Sequence, residues 1–499
     1  MKMDKTHAGA GWITADAGRA TRRSRRKAAT KIVEQARADL MSARKADIRR
    51  ERDERATSAY LPANGPTGPA SLRSYRRFAV PTHRATSEVL AGAYPFLAEA
   101  GLGSDGTFVG QDAWSASAFC FDPWILYQRN VITNPNVVLA GVIGKGKSTL
   151  AKALATRSIA FGRRVYVPGD PKGEWSVVAD AVGGTTIKLG GGVANRLNPL
   201  DDGPRPLGLD EPQWQALVTS RRRSLLGALA ESSLGRPLQA VEHTAVDVAL
   251  KTAVSRVGVP TLPLVVEALF RPDKDELGTS AGDLAADGRH AAHALRRLVA
   301  GDLAGLFDGP STIAFDPSLP MISVDLSAIQ GSDQLIAMVM TCASAWMEAA
   351  LSQDDAGHRW VVYDEAWRLL RQPALLARMQ SQWKLSRALG IANLMVIHRL
   401  SDLDAVGSAD SESRALALGL LADCSTKVIY QQETSEAPKT AAVLGLSITE
   451  QKELPMLQRG EGLWRIGERA FVVRHLCTSE ELELFDTNRR MNDAPREAR

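Results

Sequence analysis

Residues 141–148 read Gly-Val-Ile-Gly-Lys-Gly-Lys-Ser, a GxxxxGK[ST] pattern, and the fold turns on their reading. Glycines at 141, 144 and 146 let backbone N–H groups curl around a polyphosphate. Lys147 then reaches the β and γ phosphates, and Ser148 offers its hydroxyl to Mg²⁺. The context agrees with the motif. Asn136–Ala140 (NVVLA) is a short apolar run of strand type. Thr149–Ala160 is a helical pattern whose positive end faces the loop. Strand, glycine loop and helix in that order predict a nucleotide-binding α/β unit. Gly141, Gly144, Lys145, Gly146, Lys147, Ser148 and Thr149 are its candidate nucleotide contacts, and ATP with Mg²⁺ is the expected ligand pair.

Further strand-like runs follow at Arg164–Val167, Met321–Val324, Trp360–Tyr363 and Asn393–Ile397, separated by helical patterns. Alternating strands and helices predict a parallel-dominated sheet with helices on both faces. The run WVVYDEAW at 360–367 ends in Asp364-Glu365, the natural partner of the phosphate loop. Asp364 is the candidate Mg²⁺ ligand with Ser148. Glu365 is the candidate general base, and a glutamate there separates water-using ATPases from kinases. VYVPGDPKGEW at 165–175 clusters Asp170, Lys172 and Glu174. On spacing alone it reads as a polar loop after the second strand. In LSRALGIANLMVIHRLSDL at 385–403, His398 closes a strand whose carboxyl end would line the ligand crevice. A γ-phosphate sensor and a simple strand-end cap both fit it.

The chain has 499 residues, 44% hydrophobic and 23% charged, with four cysteines and a net charge of +5. That composition excludes collagen, coiled coil and wholesale disorder. No CxxC pair occurs, so neither a disulfide framework nor a cysteine zinc site is expected. Residues 1–80 hold 19 basic and 8 acidic residues, so they carry +11 and the rest −6. The first segment, 1–60, reads as a basic helical arm that could bind DNA phosphates nonspecifically, or acidic lipid or protein surfaces, or simply stay solvated. A Pro/Gly linker spans 61–80. The first part of the ATPase domain covers 81–204, an all-helical insert 205–310, the second part 311–487, and a tail 488–499. No signal-peptide core is visible. The longest apolar stretch, Leu335–Leu351, contains Glu348 and reads as a buried helix. A cytoplasmic protein is expected, either free or peripheral at the inner face of the membrane.

VPGDPKGEW, NRLNPLD, GDLAGLFDG, MISVDLSAI and VVYDEAWRLL occur in order, with the phosphate loop before them and LGLSITEQKELPMLQRGEGLWRIGERAFVVRHL after. Together they resemble the HerA–FtsK group of P-loop ATPases. Within it, they resemble the conjugative, type IV secretion ATPases with a TraG/TraC-like P-loop domain. The resemblance spans roughly residues 85–487. It implies a RecA-like core, ATP hydrolysis, a homo-hexamer, and work with a membrane-spanning secretion or conjugation apparatus that moves DNA or protein. It also implies that Arg387 acts on a neighbouring subunit's nucleotide. Two departures stand out. His398 stands where the family usually has glutamine, and a short basic segment stands where the family has a large N-terminal domain. A cytoplasmic DNA translocase and a nucleotide-dependent scaffold with little turnover are the rival functions.

Overall fold

Val-Val-Leu-Ala at 137–140 shows why the sheet must lie between two layers. Val137 and Leu139 enter one buried cluster, while Val138 and Ala140 enter the other. Trp360 and Val362 divide from Val361 and Tyr363 in the same way. A pleated strand sends alternate side chains to opposite faces, so an unbroken apolar run needs cover on both. The computed structural model describes residues 22–58, 101–190, 192–206, 208–273, 278–301, 303–329, 333–351, 357–397 and 412–486. The linker 61–80, the tail 488–499 and His398 lie outside these residues.

The chain divides into two units, 1–95 and 96–499. In the first, a 37-residue helix runs Arg22–Ser58. Alanine, arginine, lysine and glutamate favour helix intrinsically. Every side chain described there is exposed, so no apolar burial supports it. The expected helical arm thus begins at Arg22 among the described residues.

The second unit holds β1 (Thr107–Asp112), β2 (Ala118–Phe121), β3 (Val137–Ala140), β4 (Arg164–Asp170), β5 (Thr185–Lys188) and β6 (Met321–Asp325). It continues with β7 (Arg359–Tyr363), β8 (Ile391–Ile397), β9 (Thr426–Tyr430), β10 (Glu461–Ile466) and β11 (Arg469–His475). All eleven form one sheet in the order β2-β1-β11-β10-β9-β3-β8-β7-β4-β6-β5. From β9 to β5 every pairing is parallel, and β10, β11, β1 and β2 extend it antiparallel. The apolar stretch near 335–351 is the helix Asp333–Leu351, buried along most of its length. No helix among the described residues is long and apolar enough to cross a membrane. All four cysteines are free thiols.

Between β5 and β6 lie the helices Glu211–Leu234, Ala240–Val257, Leu262–Phe270 and Ala281–Ala300, with no strand among the described residues of that span. Asp210 caps the first through a reciprocal box with Gln213, and Gly235 ends it in the left-handed conformation. The Asn-Pro-Leu-Asp run at 198–201 is the seam that joins this bundle to the sheet. The Asn198 amide donates to Asp201 Oδ1 (2.9 Å) and to the Pro260 carbonyl (3.0 Å). Ser311 Oγ donates to Asp201 Oδ2 (2.6 Å). Arg222, 2% exposed, donates from Nε to the Leu200 carbonyl (2.7 Å) and pairs with Asp202.

Candidate functional site

The loop after β3 needs glycine for steric reasons. Gly141 has φ +151°, and a Cβ there would sit 2.6 Å from the Cβ of Tyr430. Gly146, with φ +108°, is the N-cap of the helix Lys147–Ile159. No side chain caps that helix and no acid occupies its first turn. The first-turn amides therefore keep their donors for an anion, and the helix dipole favours one. The loop is pinned from outside. Val142 N–H donates to Gln431 O (3.2 Å), and Gly460 N–H donates to Lys145 O (3.0 Å).

Lys147 is 4% exposed. Its ammonium donates to the carbonyls of Gly141 (2.5 Å) and Val142 (2.9 Å). Burial brings its pKa down to about 8. The carboxylates of Asp364 and Glu365 oppose that shift, and Lys172 adds to it. Ser148 and Thr149 are half-buried in the same first turn, and Lys145 is half-buried before it.

β8 separates β3 from β7 in the sheet. Adjacent strands lie about 4.8 Å apart, so β3 and β7 are roughly 10 Å apart, the span of a bound phosphate chain with its metal. Register levels their ends, since Ala140 pairs with Ile397 and Tyr363 pairs with Met395. Asp364 and Glu365 therefore emerge at the same edge as the glycine loop. Asp364 is 7% exposed and accepts from Trp175 Nε1 (3.0 Å). Burial pushes its carboxyl up, and the indole N–H opposes this.

Glu365 has φ +60°, a left-handed backbone that costs a non-glycine residue about 1–3 kcal/mol. Around it, Ala366 N–H donates to Val396 O (3.2 Å) and Arg368 N–H to Glu365 O (3.1 Å). Glu365 Oε1 pairs with Lys172, and Oε2 accepts from Trp367 Nε1 (2.5 Å).

The Asp170–Trp175 segment, which spacing reads as a plain polar loop, stands inside this cluster. Asp170 Oδ2 accepts from the Trp175 amide (2.7 Å) and Oδ1 from the Lys172 amide (3.2 Å). Burial raises its pKa to about 6, aided by Asp364 and Asp325 and opposed by the Trp175 amide. Glu174 pairs with Lys152, which has no exposed surface, at 3.2 Å. Lys172, Trp175 and Asp170 are thus the site residues that motif spacing missed. The available signal was positional, because the segment follows a strand at the crevice-lining edge.

Arg387 does not join the cluster. It is exposed, four residues before β8, and its Nη1 lies 3.5 Å from Thr133 O at the amino end of the parallel strands. Asn136 Oδ1 accepts from Asn393 N–H (3.0 Å) and Nδ2–H (2.9 Å) at that same edge. His398 follows the last residue of β8 and lies outside the described residues.

Among the described residues no group of three or more His, Cys, Asp or Glu side chains is arranged as a metal cage. The oxygen donors present, the Ser148 hydroxyl and the Asp364 carboxylate, fit Mg²⁺. That ion takes one or two protein ligands and fills the rest of its shell with phosphate and water.

No protein-family model matches the sequence, and no curated protein matches it. Among solved structures the chain is similar to VirB4 of Thermoanaerobacter pseudethanolicus. The two are 22% identical with a TM-score of 0.63, over 77% of this chain and 100% of that one. A weaker likeness links it to the plasmid coupling protein TrwB in complex with the ATP analogue ADPNP. There the identity is 14% and the TM-score 0.47, over 75% of this chain and 91% of that one. The likeness to VirB4 carries the fold: a RecA-like P-loop core with a mostly parallel sheet.

Proposed function

We propose that this chain is an ATP-hydrolysing motor of the conjugative transfer, type IV secretion class, powering translocation of DNA or protein or assembly of the apparatus. The observation that carries the reading is one edge of one sheet. There the glycine loop with Lys147 faces Asp364-Glu365 across the intervening β8, in a fold shared with VirB4 over most of the chain. Residues 81–204 and 311–487 form the two parts of its ATPase domain, and 205–310 is the insert.

Each side chain has a task. The first-turn amides and Lys147 hold the β and γ phosphates, Lys147 exchanging two carbonyls for phosphate oxygens. Ser148 and Asp364 would hold Mg²⁺, which would supply positive charge against the phosphates. Glu365 takes a proton from the attacking water at one carboxylate oxygen. His398, the residue after β8 in sequence, is assigned the γ-phosphate sensor. Arg387, on the far edge of its own sheet, serves the nucleotide of a neighbouring copy in the homo-hexamer that the family resemblance implies. The basic arm within 1–60 gives nonspecific affinity for DNA, and the motor acts at the cytoplasmic face of the membrane apparatus.

The test is the ATPase rate of the full chain, with and without DNA, over concentrations that span assembly. The rate per protomer should rise with concentration. A rate no greater than that of Lys147→Ala at every concentration would favour a scaffold that binds nucleotide with little turnover. The engaged oxygens of Glu365 support that second reading.

A further inference from the structure

Glu365 makes contacts that an idle base should make and a working base should not. Both carboxylate oxygens are occupied, Oε1 by the Lys172 ammonium and Oε2 by the Trp367 indole. The carboxylate is 5% exposed, and its backbone is in the left-handed region. A base in that setting must give up a partner before it can take a proton from water.

Lys172 is built to change partners. Its backbone is anchored, since its amide donates to Asp170 Oδ1 (3.2 Å) and Gly173 N–H donates to Asp170 O (3.3 Å). Its side chain is 52% exposed, a four-carbon stem carrying a compact point charge. Burial lowers its pKa, but the hydrogen bond and charge of Glu365 outweigh this, with help from Glu174 and Asp364, and the ammonium is held above its ordinary value. Lys172 also acts on Lys147 through space, so the two ammonium groups share one acidic cluster. A phosphate seated at Lys147 therefore arrives within the field of Lys172. A terminal phosphoryl group carries about two negative charges at neutral pH, against one on Glu365.

We propose that Lys172 is a positioning residue that holds Glu365 until a γ-phosphate competes for its ammonium, so that the base is released beside a triphosphate and not beside a diphosphate. The proposal rests on the reading of Glu365 as general base. It makes the DPKGEW loop the element that tells ATP from ADP, with Trp367 as a built-in reporter. Trp367 donates to the same carboxylate and has the guanidinium carbons of Arg368 and Arg371 at 4.6 Å and 4.7 Å from its ring.

The experiment uses the full chain in four forms beside the wild type: Lys172→Met, Lys172→Arg, Trp367→Phe and Glu365→Gln. Tryptophan emission is recorded with Mg-ATPγS and with Mg-ADP. The wild type should respond to ATPγS and not to ADP, and Trp367→Phe should remove the response. Lys172→Met should give the same emission with both ligands, with KM changed less than about threefold. Lys172→Arg, which keeps the charge, should recover the ATPγS response. A Lys172→Met protein that still distinguishes ATPγS from ADP overturns the proposal, whatever its kcat. So does a wild type that responds equally to both. Glu365→Gln separates this failure from that of the underlying reading. Normal hydrolysis there removes the base assignment, while the emission of wild type against Lys172→Met still decides whether Lys172 changes partners.

Discussion

The two edges of the parallel sheet differ in kind. At the carboxyl edge, Lys147, Lys172, Asp170, Asp364 and Glu365 crowd together. Burial lowers the pKa of Lys147 and raises those of Asp170 and Asp364, Glu365 holds that of Lys172 up, and Glu365 has a left-handed backbone. At the amino edge, Asn136, Asn393 and Ser386 form a neutral amide and hydroxyl network, with Arg387 exposed beside it. Neutral groups pair there at little electrostatic cost, although Asn136 Nδ2 is buried without a hydrogen-bond partner among the described residues. The charged edge costs desolvation that only a charged ligand offsets. On the proposed function, the chain carries most of a catalytic centre on one edge and, on the other, a cation placed to serve a neighbouring copy.

The sharpest way to break that comparison is to disable each edge in turn. Lys147→Ala and Arg387→Ala should each reduce turnover by about 10³-fold, the lower end of what a trans arginine contributes in GTPases. Mixing the two proteins under conditions of subunit exchange should restore part of the activity, because some interfaces pair an intact loop with an intact arginine. Steady-state phosphate release reads this out. An Arg387→Ala protein with full activity would return the amino edge to a purely structural role. Glu365→Gln should bind ATP and retain it through gel filtration, whereas Lys147→Ala should retain little. Recovery of bound ADP in place of ATP would mean that another group activates water.

A smaller effect tests the charge on the crowded edge. With its pKa near 8, Lys147 is about half neutral at pH 8, and phosphates should restore its proton. Nucleotide binding at pH 8 should then take up a fraction of a proton, visible by calorimetry in buffers of different ionisation enthalpy. Affinity should fall about tenfold between pH 7 and 9. Lys147→Arg should show neither effect.

The smallest concerns stability. The folded protein holds the Asp170 proton more tightly than the unfolded chain, since burial raises that pKa from 3.8 to about 6. This contribution is fully present below pH 4, is lost as pH rises through 6, and is constant beyond. The Tm of the wild type minus that of Asp170→Asn should follow that curve by scanning calorimetry. A difference independent of pH would mean that folding leaves the Asp170 carboxyl at its ordinary pKa.

What could be read in advance follows the range of the interactions. The signal of the glycine loop is local: its glycines, Lys147 and Ser148 fall within eight consecutive residues, so the motif located it even though Gln431 and Gly460 pin it from outside. The same holds for Asp364-Glu365 at the end of an apolar run. The role of the 170–175 segment depends on tertiary contacts such as Trp175 Nε1 to Asp364 across 189 positions, which no spacing encodes. β1 and β2 escaped for a related reason. They are short, they pair with each other, and the pair joins the sheet only through β11, far along the chain. The helical insert was legible because helical periodicity and breaks such as SSLGRP, which holds Gly235, are written locally, whereas the function of Asn198 and Asp201 as its seam was not.

The place of β3 has a consequence for how the protein is made. Its neighbours are β8 and β9, and Asn136 finds Asn393 only 257 residues later. A ribosome adding roughly 5–20 residues per second needs on the order of 13–50 s to cover that distance. Through that interval the phosphate-loop strand has been translated and has neither ladder partner, while the insert helices from Ala240 to Ala300, which pack on one another, can already meet. The nascent chain therefore carries part of a helical bundle beside an open apolar strand, and the nucleotide site closes only near the end of synthesis.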